Sequence, residues 1–278
     1  MGYNNIIVVD GGSNDRTVEI AKSMGVTVVL QRGKGKADAI ATGISYAKTP
    51  YVLVIDGDYT YPAKYIDNLY RKILEGYDEV IGARIRGEGY SYIYRIGNKI
   101  LTTFFNILFG VKLRDVLSGM YMLRVESIRD ALFEVRGFSI ESEIVAHIIG
   151  TSGGVAEIPI EYRKRMGKKK LKVLHGLGIA IDMMKLAWRY NPIFTIFAIS
   201  SLMLVPGLIL GGWVLYQYLM TGIKYYVKGI LAVIMAVGGF ISLALAILSL
   251  YFKRMEYRLH RRLMEIERRI KEHEKARC

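Results

Sequence analysis

The sequence predicts an α/β domain with a mostly parallel sheet, followed by a hairpin of two membrane-spanning helices. Three observations support this prediction. Apolar strand-like runs alternate with helical segments near the N-terminus, two long stretches without charge lie in the last third, and basic clusters flank these stretches. Alternating strands and helices favour a parallel sheet with right-handed crossovers.

The alternation can be followed element by element. We predict strands at 6–9, 26–30, 51–55 and 79–81, and helices at 17–24, 37–47 and 62–74. β-Branched and other apolar residues fill the strands, and glycine- or proline-containing turns separate them. Ligands of such sheets bind at the carboxyl ends of the strands, where Asp10 and Asp56 are expected.

Two uncharged stretches are long enough to cross a bilayer. Residues 190–223 comprise 34 residues without a charge and residues 229–252 comprise 24, whereas about 20 residues span the hydrocarbon. We therefore predict transmembrane helices at 191–220 and 228–252. Basic clusters precede the first and follow the second. The positive-inside rule then predicts a cell-membrane protein with two spans, whose N-terminal domain and both termini are cytoplasmic.

The net charge of +14 is concentrated beside these stretches. Residues 1–162 are nearly neutral, with 18 basic and 19 acidic residues, whereas residues 163–189 hold nine basic residues and one acid. This distribution favours anionic membrane lipids as partners over nucleic acid, which would more often contact charge spread over a folded domain. The single cysteine, Cys278, excludes an intrachain disulfide and a thiolate metal cluster.

Three further segments carry an apolar face. Residues 173–190 have apolar residues at helical spacing next to a span and a basic run, which favours an amphipathic interfacial helix. Residues 98–111 are apolar but too short to span, so a core helix and an interfacial helix both remain open. Residues 253–278 are predicted to form a basic cytoplasmic helix. Its apolar stripe could pair two copies into a homo-oligomer, although a solvated helix fits better.

The strongest chemical motif is Asp56-Gly57-Asp58, directly after the predicted strand 51–55. Two carboxylates one residue apart in a turn can share a hard divalent cation such as Mg²⁺ or Mn²⁺. That ion would also bind a diphosphate and offset the charge of a nucleoside-diphosphate leaving group. An acidic turn without a metal is the alternative, but the position after a buried strand favours metal binding.

Two glycine-containing loops complete the candidate nucleotide site. Asp10, at a strand end, is placed to accept hydrogen bonds from a base or ribose, and Ser13 or Asp15 can cap the next helix. The loop Gly33-Lys34-Gly35-Lys36 is flexible and basic, so Lys34 is a candidate for phosphate contact. The pattern of a Walker-type P-loop is absent.

In this order, these motifs resemble the family-2 glycosyltransferases, which have the GT-A (nucleotide-diphospho-sugar transferase) fold. The matching segments are VVDGGSNDRT, GKGKADAIATG, DGDYTYP, GAR, RDVLSG and EIPIEYRKRMGKKKL. They are most similar to the dolichyl-phosphate mannose synthase and polyprenyl-phosphate glycosyltransferase branch. We therefore expect residues 1–172 to form a GT-A domain. Family members usually begin with a further strand carrying a Pro-x-Tyr-Asn-Glu type motif, and the resemblance here starts after it.

The resemblance implies roles on the donor side. Asp56 and Asp58 would hold Mg²⁺ or Mn²⁺ on the diphosphate of a nucleotide sugar of the GDP-mannose or UDP-glucose type. Asp10 would contact the nucleotide, and Lys34 is its basic neighbour in the glycine loop. Asp58 is also a candidate catalytic residue because it would support the leaving group.

On the acceptor side, the resemblance implies a phosphate clamp. Arg114 and Ser118 match residues that hold the lipid phosphate, and Arg95 is expected on the same side. Arg165 and Lys170 match a loop that closes over donor and acceptor phosphate, and Arg114 and Arg165 are further catalytic candidates. Arginine suits this task because its guanidinium group binds phosphate oxygens in a bidentate fork.

The implied reaction transfers a hexose to dolichyl or polyprenyl phosphate at the cytosolic membrane face, with inversion. Two alternatives remain open. The chain could be a catalytically incompetent membrane subunit that binds a partner or a lipid phosphate. It could also be a processive polysaccharide synthase, but that class needs a Gln-x-x-Arg-Trp element, and here Trp188 precedes Arg189 with no glutamine nearby.

Overall fold

The computed structural model of the chain describes residues 3, 5–87, 92–129, 131, 133, 139–164, 166 and 175–275. The chain forms two compact units, Met1–Tyr190 and Asn191–Cys278. In chain order, the elements of the first unit are β1 Ile7–Asp10, α1 Thr17–Ser23, β2 Thr27–Leu30, α2 Lys36–Ser45, β3 Tyr51–Ile55, α3 Ile66–Ile73, β4 Glu79–Arg86, α4 Tyr92–Phe109, β5 Met120–Arg124, α5 Ile140–Gly150, β6 Val155–Glu161 and α6 His175–Tyr190. The predicted strand 51–55 is confirmed with its boundaries, and most other predicted elements shift by one to three residues.

The strands form two sheets. β1 and β2 pair in parallel, with Ile7 opposite Thr27 and Asp10 opposite Leu30. The other sheet has the order β3-β5-β4-β6, in which β4 and β6 are parallel. β5 runs antiparallel to both β3 and β4. The sheet is therefore mixed rather than mostly parallel.

The direction of β5 follows from where its chain segment enters the sheet. The segment before β5 lies at the carboxyl ends of β3 and β4, since Gly119 bonds to Asp56 and Asp115 pairs with Arg84. A strand that starts at this edge can only run back toward the opposite edge. No strand was predicted at Met120–Arg124, so the antiparallel direction of β5 was not predicted either.

The core of this sheet is covered by α3. Leu69 and Ile73, one helical turn apart, are fully buried against Val80, Met120 and apolar residues of the neighbouring strands. Each such side chain contributes about 1.5–3 kcal/mol through its removal from water. This packing fixes the strand ends, where the acidic turn begins.

Helices α4 and α6 pack together and each bury one face only. Phe105 and Phe109 of α4 and Met183 of α6 are buried. The opposite faces expose large apolar side chains, namely Ile93, Ile96, Ile100 and Ile107 in α4 and Leu177, Ile181, Met184 and Trp188 in α6. For residues 98–111, the buried face of α4 confirms packing against the core, and an interfacial position of the exposed face stays a prediction.

The second unit consists of two long helices, α7 Pro192–Thr221 and α8 Tyr226–Lys275. The segments Pro192–Thr221 and Tyr226–Phe252 are long and apolar enough to cross a membrane. α8 continues past residue 252 without a break, whereas the sequence predicted a separate basic helix there.

Small residues let α7 and α8 approach closely. A Cβ atom on Gly239 would lie 2.6 Å from the backbone nitrogen of Leu204. The hydroxyl groups of Ser200 and Ser242 are hydrogen-bonded at 2.7 Å. Close backbone contact and interhelical hydrogen bonds of this kind are typical of helix pairs in lipid.

Candidate active site

The acidic turn after β3 is held against the loop that precedes β5. The backbone N–H of Asp56 donates to the carbonyl oxygen of Gly119, 3.1 Å away. A Cβ atom on Gly119 would lie only 2.2 Å from Oδ2 of Asp56. Glycine at this position therefore leaves room for the Asp56 carboxylate.

The other carboxylate oxygen of Asp56 pairs with the ammonium group of Lys36, a residue for which the sequence predicted no role. Nζ of Lys36, the first residue of α2, lies 2.8 Å from Oδ1 of Asp56 and also pairs with Oε1 of Glu141. Lys36 and Asp56 each expose 27% of their side chains, whereas Glu141 exposes 5%. Burial alone would lower the pKa of Lys36, but the two carboxylates raise it well above its ordinary value.

Glu141 lies in α5, a helix whose side chains are almost all buried. Burial raises the pKa of the Glu141 carboxyl group, and the Lys36 ammonium counteracts part of that rise. A buried acid depends strongly on its cation, because removing one partner leaves an uncompensated charge. Lys36 is thus shared between a buried acid and the acidic turn.

Asp58 organises the rest of the acidic turn. Its Oδ1 accepts hydrogen bonds from the backbone N–H of Thr60, at 3.1 Å, and from the Thr60 hydroxyl group. The carbonyl oxygen of Asp58 accepts from the N–H of Met166 at 3.3 Å, and that of Thr60 accepts from the N–H of Arg163 at 2.9 Å. Arg163 and Met166 are therefore tied to the acidic turn.

A buried ion pair stands beside this turn at the end of β4. Nε and Nη2 of Arg84 lie 2.6 and 2.7 Å from the two carboxylate oxygens of Asp115, and Asn98 donates to the same carboxylate at 2.8 Å. Burial alone would raise the pKa of Asp115, but Arg84 and these hydrogen bonds hold it below its usual value. Asp115 follows Arg114 in the sequence, whereas its ion-pair partner is Arg84.

The predicted phosphate clamp divides between a buried and an exposed residue. Arg114 is exposed, and the carboxylate of Glu157 accepts its backbone N–H at 2.8 Å. Ser118 is fully buried, and its hydroxyl group donates to the carbonyl oxygen of Gly82 at 2.6 Å. Ser118 therefore stabilises β4 through its hydroxyl group in this structure, whereas the sequence predicted that it would contact a phosphate. Its burial could not be read from the segment RDVLSG.

Asp10 shapes its own turn. Its Oδ2 accepts the backbone N–H of Gly12 at 3.0 Å, and its Oδ1 accepts the hydroxyl group of Ser13 at 2.5 Å. The hydrogen bonds from Ser13 hold the pKa of Asp10 below its usual value. Both carboxylate oxygens accept hydrogen bonds from within the turn, so the Asp10 side chain stabilises the backbone conformation of this turn. Arg16 occupies the N-cap position of α1 without a side-chain cap, and Oδ1 of the preceding Asp15 accepts the N–H of Thr17 at 3.0 Å.

The remaining predicted residues are at the surface or outside the described part of the chain. Lys34 is exposed, and its backbone N–H donates to Oδ2 of Asp38 at 2.7 Å. Arg95 is exposed on α4. Arg165 and Lys170 lie outside the described residues.

The side chains of the acidic turn suit a metal ion that is completed by its substrate. Within the described residues, no group of three or more His, Cys, Asp or Glu side chains could hold a metal by itself. Mg²⁺ typically takes one or two carboxylates and fills its other positions with water and substrate phosphates. Asp56 and Asp58 would be the donor pair of such a site, and Oδ1 of Asp56 already pairs with Lys36.

The amino-acid sequence is similar to those of known glycosyltransferases. The chain is 29% identical over 273 residues to glycosyltransferase AglJ of Haloferax volcanii, covering 96% of this chain and 90% of that protein. It is 36% identical over 183 residues to the dolichyl-phosphate hexose transferase of the same organism, covering 65% of this chain and 78% of that protein.

Solved structures share the fold. Glucosyl-3-phosphoglycerate synthase from Mycobacterium tuberculosis, in complex with phosphoglyceric acid, superposes with a TM-score of 0.52 at 20% identity, covering 67% of this chain and 68% of that one. The same enzyme with Mn²⁺, UDP-glucose and phosphoglyceric acid gives a TM-score of 0.51 at 21% identity, covering 66% and 67%. The family model described as glycosyl transferase family 2 matches residues 3–132. The fold is GT-A, and the chain belongs to glycosyl transferase family 2 and is a glycosyltransferase.

Proposed function

We propose that this glycosyltransferase moves a hexose from a nucleotide sugar to dolichyl or polyprenyl phosphate at the cytosolic membrane face. The observation that carries the proposal is the contact between Asp56 and Gly119. It joins the acidic turn, which suits a sugar nucleotide, to the Arg114–Gly119 loop, which suits a phosphate acceptor. The reacting groups of donor and acceptor would then meet at one edge of the sheet.

On the donor side, Asp56 and Asp58 would hold Mg²⁺ or Mn²⁺ against the diphosphate. A bound ion would neutralise the charge that develops on the departing nucleoside diphosphate. The structural relative crystallised with Mn²⁺ and UDP-glucose supports this assignment. The backbone hydrogen bonds of Arg163 and Met166 to the carbonyl oxygens of Thr60 and Asp58 would keep these two residues close to the same diphosphate.

On the acceptor side, the exposed guanidinium group of Arg114 would bind the phosphate of the lipid. The Glu157 carboxylate fixes the backbone of Arg114 and Asp115 through N–H groups at 2.8 and 2.9 Å, so this loop is held in position. The similarity to the dolichyl-phosphate hexose transferase supports a lipid phosphate as acceptor.

The chemistry then needs positioning more than proton transfer. A phosphate acceptor is already anionic at neutral pH, so one of its oxygens can attack the anomeric carbon without a strong general base. The bond from that carbon to the diphosphate oxygen breaks, the nucleoside diphosphate leaves with the electron pair, and the anomeric configuration inverts. Holding the two phosphates in line is the main contribution of the protein.

The two apolar helices and the exposed faces of α4 and α6 support a membrane location. Within α7 and α8, the most apolar windows are only 11% and 17% buried by protein, unlike the core helices of a soluble protein. α6 ends at Tyr190 and α7 begins at Pro192. The exposed apolar side chains of α6 would lie in the membrane interface. Basic residues on both sides of the two apolar helices favour a cytoplasmic location for both termini.

The proposal can be tested with membranes that contain the full chain. GDP-mannose and UDP-glucose, each radiolabelled in the sugar, are supplied with dolichyl phosphate, and the label in the lipid extract is counted with and without EDTA. We expect label in the lipid with one donor, no label after chelation, and recovery on addition of Mg²⁺ or Mn²⁺.

Dolichol without its phosphate is the matched control acceptor. It has the same chain and lacks only the group that Arg114 would bind. Equal labelling of dolichol and dolichyl phosphate would contradict the proposed acceptor. Transfer that is insensitive to EDTA would contradict the proposed role of the metal.

A further inference from the structure

The ammonium group of Lys36 occupies a position next to Asp56 that a divalent cation would also seek. Its Nζ lies 2.8 Å from Oδ1 of Asp56 and pairs at the same time with the carboxylate of Glu141. The chain thus places one positive charge between two negative ones, and one of these acids belongs to the acidic turn.

The position of Lys36 in the chain is not one that helix formation favours. It is the first residue of α2, where the positive end of the helix dipole disfavours a basic side chain. The preceding Gly33 and Gly35 have φ values of +89° and +91°, a conformation that other residues rarely adopt. The loop is therefore built to deliver this ammonium group to the two carboxylates, at some cost to the helix.

We propose that Lys36 is a built-in counter-ion of Asp56 that competes with the divalent cation, and that Glu141 keeps the ammonium group when the cation binds Asp56. This inference rests on the proposed metal site. Because Glu141 is buried, it remains a partner for Lys36 when Asp56 changes partner. The competition makes the site a weak one for a bare ion, so the ion is best retained when a diphosphate adds its own negative charge.

Removal of the competing charge has a predictable direction. A unit positive charge this close to a ligand oxygen both occupies that oxygen and repels a divalent ion. At so short a distance this repulsion is substantial even at the effective dielectric constant of a protein surface. We expect Lys36→Met to bind Mn²⁺ at least about tenfold more tightly than the wild type.

The experiment measures binding of Mn²⁺ alone to the full-length protein in detergent, by the loss of the free Mn²⁺ EPR signal. Lys34→Met is the matched control, because it removes the same charge from an exposed side chain of the same loop. We expect little change for Lys34→Met and weaker binding for Glu141→Gln, in which Asp56 alone holds the ammonium group. Melting temperatures establish that each variant is folded, and Lys36→Gln replaces Lys36→Met if the latter is not.

A double variant separates direct competition from net charge. Lys36→Met/Glu141→Gln has the net charge of the wild type. If Lys36 competes for Asp56, the double variant binds Mn²⁺ more tightly than the wild type. Equal affinity would overturn the inference, as would an unchanged affinity in Lys36→Met.

Asp58→Asn distinguishes failure of this inference from failure of the metal site. If Mn²⁺ binding is lost in Asp58→Asn but is not strengthened in Lys36→Met, the inference fails and the proposed metal site stands. If neither the wild type nor Lys36→Met binds Mn²⁺, both fail.

Discussion

Replacement of Gly119 by alanine is expected to disable the acidic turn without removing any functional group. The added Cβ atom would lie 2.2 Å from Oδ2 of Asp56, and Cβ atoms in proteins essentially never approach closer than 3.0 Å. The carboxylate or the loop must therefore move by about 0.8 Å. Misplacement of a catalytic group by about 1 Å can reduce the rate about a hundredfold, so we expect a loss of this order in kcat.

Transfer of radiolabelled sugar to dolichyl phosphate, per amount of folded protein, measures this loss. Gly82→Ala is the matched control, since its Cβ atom would meet Cδ1 of Ile160 at 2.7 Å and the backbone oxygen of Met120 at 3.2 Å, but no carboxylate. We expect Gly82→Ala to lower the melting temperature while it keeps most of the activity. A Gly119→Ala enzyme with more than a third of wild-type kcat would refute the idea that Gly119 positions Asp56.

Three other perturbations test separate parts of the molecule. Asp58→Asn is expected to reduce transfer by a hundredfold or more with an unchanged melting temperature, and a loss below threefold in the same assay would contradict its role. Asp115→Asn unpairs Arg84 and is expected to lower the free energy of unfolding by about 3 kcal/mol at pH 7. Because the pKa of Asp115 is lowered in the folded state, the difference between wild type and variant should persist down to about pH 4 and shrink below it as Asp115 takes up its proton. A difference in the free energy of unfolding that does not change with pH would contradict the pairing. Gly239→Leu is expected to separate the two apolar helices and to lower the temperature of heat inactivation in detergent. Gly212→Leu is the control, because nothing lies within 4 Å of a Cβ atom at that position. Equal effects of the two substitutions would argue against close packing at Gly239.

Features that depend on local sequence were predictable. The run Tyr51–Ile55 is apolar and β-branched, and the Asp56-Gly57-Asp58 turn follows it directly, so strand and acidic turn came from one pattern. The two apolar helices were equally predictable from the sequence, because more than twenty consecutive uncharged and mostly apolar residues have few other structures available to them.

Features that depend on long-range pairing were not predictable. Lys36 in a glycine loop and Glu141 in an apolar helix gave no sign of their contact, because only the fold brings α2 and α5 to the end of β3. Likewise, Arg114 is the neighbour of Asp115 in sequence, whereas Arg84 binds it across the sheet. Two acids, Glu141 and Glu143, at the start of a mostly apolar helix were the signal that could have pointed to Glu141, since a buried charge demands a partner.

The separate pairing of β1 with β2 has consequences for the dynamics of the donor side. A two-stranded sheet is only marginally stable by itself, so this pair is expected to open locally at a lower free-energy cost than the four-stranded sheet. A nucleotide that needs the closed pair binds with an apparent dissociation constant raised in proportion to the fraction of open molecules. The N–H groups of Thr27 and Gln31 donate to the carbonyl oxygens of Ile6 and Asp10 across this pair. Amide exchange at Thr27 and Gln31 would then be rapid in the apo enzyme and slow once the donor is bound, and mild heating would weaken donor affinity well before the α3 core melts.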